Sequence, residues 1–205
     1  PIFAVGTRLP SEAHLAQRYG VSRPIIREAL RSLQTLGLTQ TRTGSGTYVM
    51  TPTPPSELNY GAYSARDLIE ARPFIEVPAA GWAALRRTDA QLETLLHLCD
   101  RMEVEERPHP WVLLDGQFHC AIAEASANRL FAKVVADARE AVSQQSEMVN
   151  LMAGRRVASN YEHRRIVEAI RRGSAPEARE AMELHLGQVK QVVTTIIGED
   201  RVRQP

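Results

Sequence analysis

Apolar side chains recur at intervals of three and four residues along most of the chain, a pattern typical of helices with one buried face. The clearest case is VSRPIIREALRSLQTLGL, residues 21–38. Ser22 suits an N-cap, Pro24 suits the first turn, and Gly37 suits the residue that ends a helix. The sequence therefore predicts a helix here, with one apolar stripe formed by Ile26, Ala29, Leu30, Leu33 and Leu36.

A second face of this helix carries Arg23, Arg27 and Arg31. The preceding segment SEAHLAQRYG predicts a shorter helix that is capped by Ser11 and ends at Gly20, so the two segments form a helix-turn-helix. Alone, an arginine-bearing amphipathic helix is also typical of a solvated surface. Here the arginines, the Ser22 hydroxyl and a positive helix N-terminus coincide, which favours contact with phosphates and with guanine edges in a major groove.

Residues 38–50 predict a β-hairpin after the second helix. LTQTR and TYVM have the alternating side chains of short strands, and Gly44-Ser45-Gly46 supplies the positive φ angles of a hairpin tip. The segment GTRLPSEAHLAQRYGVSRPIIREALRSLQTLGLTQTRTGSGTYV resembles the winged helix-turn-helix of the GntR family of bacterial transcription regulators. We therefore expect DNA contacts from Ser22, Arg23, Pro24, Arg27, Gly44, Ser45 and Gly46.

Two features depart from the pattern of that family. Members normally carry one more helix ahead of this point, and PIFAVGTRLP leaves no room for it, so we expect the first helix to be absent. Ala13 stands where members often carry an arginine that can reach DNA. The preferred DNA sequence should differ accordingly.

The charge distribution agrees with a DNA-binding N-terminal part. Residues 1–50 contain six Arg and two Glu, hence +4, while the other 155 residues contain nineteen basic and twenty-two acidic side chains, hence −3. No apolar leader or membrane-length apolar run is present, which predicts a cytoplasmic protein with no membrane partner. Cys99 and Cys120 match no metal-binding spacing and are expected to be reduced core thiols.

The remainder of the chain predicts a linker and a helical domain. TPTPPSELNYGAY, residues 51–63, is rich in Pro, Ser and Thr, as linkers are. Residues 64–197 predict six helices, of which the first should be kinked or broken at Pro73 and Pro78, and residues 198–205 predict a frayed tail. The expected fold is mainly α, with the winged helix-turn-helix at residues 1–50 followed by an all-α helical-bundle effector domain.

Four polar residues fall on the apolar faces of three predicted helices. Asp115 and His119 are one turn apart on one helix, and His163 and His185 lie among apolar residues on two others. Burying such groups without partners is costly, so they should pair with one another or share an ion. Each histidine alone is more often a hydrogen-bonded core residue, whereas a set of three imidazoles and a carboxylate suits Zn²⁺ or a similar divalent metal.

The segments DLIEARPFIE, DGQFHCAIAEASAN, EHRRIVEAI and AMELHL resemble the helical effector-binding (FCD) domain of FadR-type GntR regulators, in the order that the family has. In many such domains the positions of Asp115, His119, His163 and His185 bind a metal, so the resemblance implies a divalent ion, with Zn²⁺ the first choice and Ni²⁺ or Mn²⁺ as alternatives. Arg72 matches a family position whose guanidinium meets a carboxylate ligand. A surface ion pair of Arg72 with Asp67 or Glu76 is the alternative.

These expectations define a metabolite-responsive transcription regulator, in most such cases a repressor, that binds a double-stranded DNA operator as a homodimer. A small organic acid would bind at the metal and modulate operator binding. The alternatives are a metal-dependent hydrolase and a helical module with a purely structural metal. The hydrolase needs a further acid or base beside the metal, and no spare Glu or Asp is predicted to face inward from the ligand-bearing segments.

Overall fold

The computed structural model describes residues 3–35, 37–50 and 59–197. The chain divides into two compact units, residues 1–58 and residues 59–205. Each unit has its own buried core, and each is described separately below.

The first unit contains a helix pair and a two-stranded hairpin. Its elements are α1 (Glu12–Tyr19), α2 (Arg23–Thr35), β1 (Thr39–Arg42) and β2 (Gly46–Val49). The side chain of Ser11 caps α1 by accepting from the backbone N–H of His14, and Gly20 ends the helix at φ 65°. Both ends of α1 therefore lie where the sequence predicts them.

The apolar stripe of α2 is narrower than predicted. Ile26 is buried against Leu15 and Ala16 of α1, and Leu30 packs on this small cluster. Ala29 is exposed, so its assignment to the buried stripe was wrong. A core made of two short helices covers only part of the apolar face, and Leu36 lies outside the described residues.

The hairpin is antiparallel, and Thr39 pairs with Val49 while Arg42 pairs with Gly46. Gly44 and Gly46 adopt φ angles of 74° and 116° at the tip, which explains why glycine occupies both positions. Residues 6–9 run along the other edge of β2, through a bridge between Arg8 and Tyr48. Backbone bonds from Gly6 N to Val49 O (2.7 Å) and from Leu9 N to Thr47 O (2.8 Å) hold this extra segment, which the sequence did not predict.

The second unit begins with a short hairpin, β3 (Asn59–Tyr60) and β4 (Tyr63–Ser64), followed by helices α3–α8. The helices are α3 (Ala65–Arg86), α4 (Asp89–Val104), α5 (Pro108–Ala125), α6 (Arg129–Ala153), α7 (Arg156–Arg171) and α8 (Ala175–Ile197). The predicted linker extended to residue 63, but residues 59–63 belong to this unit because Tyr60 is 2% exposed in its core. The other residues of the predicted linker, 51–58, lie outside the described residues. The predicted tail, residues 198–205, lies outside them as well.

Helix α3 runs without a break through Pro73 and Pro78, so the predicted break does not occur. Proline removes a backbone donor and strains the preceding turn. Ala80, Ala83 and other small residues of α3 are nevertheless buried in the main core, and α3 packs against α5 and α8. This packing outweighs the local cost of the two prolines.

The inner faces of α5, α7 and α8 form much of the core of the second unit. Trp111 and Phe118 of α5, Ile166 and Ile170 of α7 and Met182 of α8 are at most 1% exposed. The histidines predicted to face inward lie on these same three helices, so the core also holds them in place. Within the described residues, no helix is both long and apolar enough to cross a membrane.

Candidate metal centre and DNA-binding surface

Three imidazoles from three helices meet in the core of the second unit. His119 of α5, His163 of α7 and His185 of α8 each offer a ring nitrogen, and these atoms lie within 4.8 Å of one another. Asp115, one turn before His119, places Oδ1 3.4 Å from His163 Nε2 and 3.9 Å from His119 Nε2. All four residues are at most 4% exposed, so the structure brings the predicted ligand set together in one buried cluster.

Two carboxylates that the sequence analysis missed contact the outer sides of this cluster. Glu76 Oε2 of α3 lies 2.6 Å from His119 Nδ1, and Glu162 Oε2 of α7 lies 2.7 Å from His185 Nδ1. A carboxylate at one ring nitrogen fixes the orientation of an imidazole and leaves its other nitrogen for an ion. Glu162 lies on a ligand-bearing helix, but its contacts with His185 and Arg155 engage its carboxylate, so it is not a spare acid.

Arg72 is buried beside Glu76 rather than exposed at the surface. Its Nε and Nη2 donate to the two carboxylate oxygens of Glu76, at 2.5 and 3.4 Å, and its Nη1 donates to Gln145 Oε1 at 3.5 Å. Burial alone would raise the pKa of Glu76, but the charge of Arg72 and the imidazole of His119 lower it well below its usual value. Glu76 is therefore a buried carboxylate anion that joins Arg72 to His119.

Burial sets the protonation state of two of the three imidazoles, those of His163 and His185. Burial lowers the pKa of His163 and His185 well below the usual value, and neighbouring imidazoles and Arg72 lower it further. Both rings are consequently neutral at physiological pH, and neutral imidazole is the metal-binding form. The carboxylate of Asp115 accepts from Ser146 Oγ at Oδ2 (2.7 Å), which leaves Oδ1 directed toward His163.

Buried nitrogens without a hydrogen-bond partner mark this cluster as suited to an ion. Among the described residues, both ring nitrogens of His163 and the Nε2 of His119 have none. Buried polar atoms are nearly always satisfied, so such a group of unsatisfied nitrogens needs a physical explanation. Three imidazoles and one carboxylate oxygen form a donor set that fits a first-row divalent ion.

A small polar cavity lies beside the cluster. Its lining includes Arg72, Gln145, Ser146 and Ser159 together with Asp115, His119 and His185. Gln145 is 1% exposed and its Nε2 has no partner among the described residues, so it offers a buried donor to a bound group. Gln145 was not predicted as a site residue because it lies on α6, which carries none of the predicted ligands.

The predicted DNA-binding residues lie at the start of α2 and at the hairpin tip. Arg23 and Arg27 are both exposed, and each contacts Glu12 of α1, Arg27 through Nε at 3.1 Å and Nη2 at 2.8 Å. Exposed ion pairs contribute little, so these arginines remain available for phosphates or bases. Ser22 and Pro24 are exposed as well.

The hairpin tip carries two further arginines that were not predicted as site residues. The guanidinium of Arg42 lies 5.1 Å from the ring centroid of Tyr48, whose hydroxyl is 2.7 Å from Ser45 Oγ. The side chain of Arg8 crosses Gly46 so closely that a Cβ there would lie 2.6 Å from Arg8 Nε. Gly44, Ser45 and Gly46 thus lie in a positively charged tip, which suits the approach to a DNA backbone.

The first unit is a winged helix-turn-helix with exposed arginines, and the second is an all-helical domain with a buried polar cluster. This combination defines a class of DNA-binding regulators. Residues 2–49 match the family described as "Bacterial regulatory proteins, gntR family", and residues 67–188 match the FCD domain. The chain belongs to the GntR family of transcription regulators. It is a DNA-binding regulator rather than an enzyme, and the mainly helical fold expected from the sequence is confirmed.

Similar proteins are regulators of the same family. The chain is 30% identical over 202 residues to the Uxu operon regulator of Haemophilus influenzae, covering 92% of this chain and 74% of that protein. It is 28% identical to the HTH-type transcriptional regulator LutR of Bacillus subtilis, covering 95% of each. A solved structure of a Streptococcus agalactiae GntR protein is 32% identical, with a TM-score of 0.51 over 92% of this chain and 91% of that one.

Proposed function

We propose that this chain is a metabolite-responsive regulator whose helical unit binds a divalent metal and a small organic acid, and that the acid modulates operator binding. The observation that carries the proposal is the buried cluster of Asp115, His119, His163 and His185, with its unsatisfied ring nitrogens. These four residues would hold the ion. Zn²⁺ suits three imidazoles and a carboxylate best, and Ni²⁺ or Mn²⁺ would also fit.

The bound metal would supply an electrophilic position for an effector carboxylate. Arg72 and Gln145 line the small cavity beside the cluster, and their N–H groups would orient the carboxylate. A regulator that is similar over 76% of its length carries the name "Putative L-lactate dehydrogenase operon regulatory protein" in Escherichia coli. Control of an operon for the metabolism of a small acid would agree with a carboxylate site of this kind.

On the DNA side, we propose that Arg23 and Arg27 contact base edges or phosphates, with Ser22, Pro24 and the Gly44-Ser45-Gly46 tip adding backbone contacts. A cytoplasmic homodimer of such units would bind a two-fold symmetric operator. Repression is the proposed outcome, because a protein bound over an operator blocks transcription.

A buried structural metal is the second candidate function. The carboxylates of Glu76 and Glu162 already contact His119 and His185, so they act on ring orientation rather than as spare acids for hydrolysis. The polar cavity beside the cluster has a volume of about 10 Å³, so an effector carboxylate would have to displace neighbouring side chains, whereas a structural metal would not. The difference is measurable, because a structural metal would bind without creating affinity for any acid.

The test begins with the metal content of the full chain purified without chelators. We expect about one divalent ion per chain, and a melting temperature that falls in EDTA and recovers with Zn²⁺, because ligands from three helices tie the fold together. His163→Ala should abolish this response, whereas His97→Ala, an exposed histidine on α4, should retain it. An absence of metal that persists after adding Zn²⁺, Ni²⁺ or Mn²⁺ would contradict the proposal.

A second measurement concerns the operator. An operator sequence selected from random DNA would be titrated by fluorescence anisotropy with the metal-loaded chain, with and without alkanoic acids, hydroxy acids, dicarboxylates and sugar acids. We expect one class of acid to change the operator affinity, and EDTA to remove that change. Equal operator affinity with every acid would show that the helical unit does not regulate DNA binding by this route.

A further inference from the structure

A second and larger cavity opens beside the metal cluster, between α3 and α6, with α5 as its floor. We call it the α3–α6 cleft. Its volume is about 650 Å³, within the range of sites for small ligands. Its walls are mainly apolar and include Leu68, Ile75, Val134, Val135, Ala138 and Val142.

The cleft and the small polar cavity share residues at one end. Arg72 and His119 line both, and Glu76 lines the cleft as well. Arg72 and His119 are therefore the side chains at which a ligand in the cleft would come nearest to the metal cluster. The rest of the same ligand would have apolar walls on both sides.

The carboxylates at the rim of the cleft are already paired, and Arg139 adds a positive charge to the lining. Asp67 accepts from the backbone N–H and hydroxyl of Ser64, Glu70 pairs with Arg66, and Asp137 pairs with Lys133. The rim thus provides no unpaired carboxylate that would call for a cationic ligand. The positive charge at the inner end is that of Arg72, which Glu76 already pairs, so a ligand carboxylate there would compete with Glu76 for Arg72.

We propose that the effector is an amphipathic organic acid whose carboxylate binds at the metal and Arg72 and whose apolar body fills the α3–α6 cleft. The inference rests on the proposed function, since it places the carboxylate of the proposed effector at the proposed metal site. A sugar acid fits this cleft poorly, because its hydroxyl groups would lose water against apolar walls that offer no partners. An alkyl or aryl chain gains free energy from the same burial.

The first experiment measures the affinity of the Zn²⁺-loaded full chain for acetate, butanoate, hexanoate and octanoate, with glucuronate as the polar control. Burial of each methylene contributes about 0.8 kcal/mol, so we expect affinity to rise about fourfold per methylene until the cleft is full. Glucuronate should bind no more tightly than acetate. Equal affinity along the series would overturn the inference.

The reactivity of Cys120 reports where the alkyl chain of the bound acid lies. Its thiol lines the floor of the cleft and is half-buried, whereas Cys99 is 2% exposed in the core. Saturating octanoate should slow alkylation of Cys120 by N-ethylmaleimide at least tenfold, as read by mass spectrometry, and saturating acetate should not. An unchanged rate of Cys120 alkylation in octanoate would place the alkyl chain of the acid outside the cleft and contradict the inference.

Variants that fill the cleft supply an independent test. Ala138→Trp on α6 and Ala71→Trp on α3 place a large side chain in opposite walls, and Ala136→Trp places one on the exposed side of α6. The first two should weaken octanoate at least tenfold and leave acetate unchanged, and the third should behave as wild type. If all three variants retain octanoate affinity, the cleft is not the site.

The outcomes separate this inference from the function on which it rests. Metal-dependent binding of acetate without any dependence on chain length would support the proposed function and refute the role of the cleft. Dependence on chain length that is unaffected by EDTA would refute the metal in effector binding and support the cleft as the site of the apolar body. Failure of every acid to bind would refute both.

Discussion

Replacing Glu76 by Gln removes one charge from a buried ion pair while retaining the shape of the side chain. Glu76 is 4% and Arg72 is 8% exposed, and the two are joined through both carboxylate oxygens. Removing one partner of a buried pair typically costs about 3–5 kcal/mol, since the other charge stays buried. The Gln carbonyl can still accept from Arg72, so we expect about 3 kcal/mol of destabilisation in metal-free protein.

The same substitution should weaken metal binding separately. Glu76 contacts His119 Nδ1, and loss of an outer partner of a metal-binding histidine typically lowers affinity about 10- to 100-fold. Glu162→Gln, which acts on His185 in the same way, should produce a similar loss of affinity. It should also lower stability, because the buried Arg155 loses its carboxylate partner. Glu140→Gln, an exposed carboxylate on α6, is the control for both measurements.

Tryptophan fluorescence isolates the relevant unit during urea unfolding. The chain has two tryptophans, Trp82 and Trp111, and both belong to the helical unit. Unfolding in EDTA gives the free energy without metal, and competition with a chromophoric chelator gives the Zn²⁺ affinity. Stability within about 0.5 kcal/mol of wild type, the usual range for a surface substitution, would show that the buried pair is not formed as described. Unchanged Zn²⁺ affinity would show that Glu76 does not orient a ligand.

Three further predictions concern other parts of the chain. Arg23→Ala should weaken operator binding by about 1–3 kcal/mol in anisotropy titrations, with the exposed Arg101→Ala of α4 as control, and unchanged affinity would exclude Arg23 from the interface. Asn128→Ala should destabilise the helical unit by about 1 kcal/mol in urea, because the Asn128 side chain caps α6 at Leu130 N (3.0 Å), and no loss would show that water replaces the cap. Arg72→Ala should weaken acid binding, as measured by thermal shift, without changing acid-free operator affinity, and equal acid binding would remove Arg72 from the effector site.

Helix boundaries were predictable because their signals are local. Ser64 and Thr88 form capping boxes with Asp67 and Gln91, as the spacing of these residues indicates, and Asn128 caps the next helix but one. The continuity of α3 through its two prolines was not predictable in this way. It depends on packing against α5 and α8, which outweighs the local preference of the backbone.

The candidate metal ligands could be predicted because an apolar helical face that carries a histidine indicates an inward side chain. Periodicity shows which face is buried but not which buried faces meet. Glu76 illustrates the limit, since its contact with His119 joins α3 to α5 and appears in the sequence only as a carboxylate near Arg72. The same limit applies to Tyr60, whose burial in the helical unit gives no periodic signal in a segment of only two residues per strand.

The contacts of Glu76 also explain why an acid bound at the metal cluster should change the packing of the helices. The ligand set lies on α5, α7 and α8, and the pair of Glu76 with Arg72 adds α3 to the same network. An acid that competes with Glu76 for Arg72, or whose body separates α3 from α6, would change the position of α3 relative to the other three helices. Helix α3 directly follows the β3–β4 hairpin, which is the first described part of this unit after the DNA-binding segment. If the proposed acid regulates operator binding, a shift of α3 would be the physical step by which acid and operator alter each other's affinity, reciprocally and typically by about 1–3 kcal/mol.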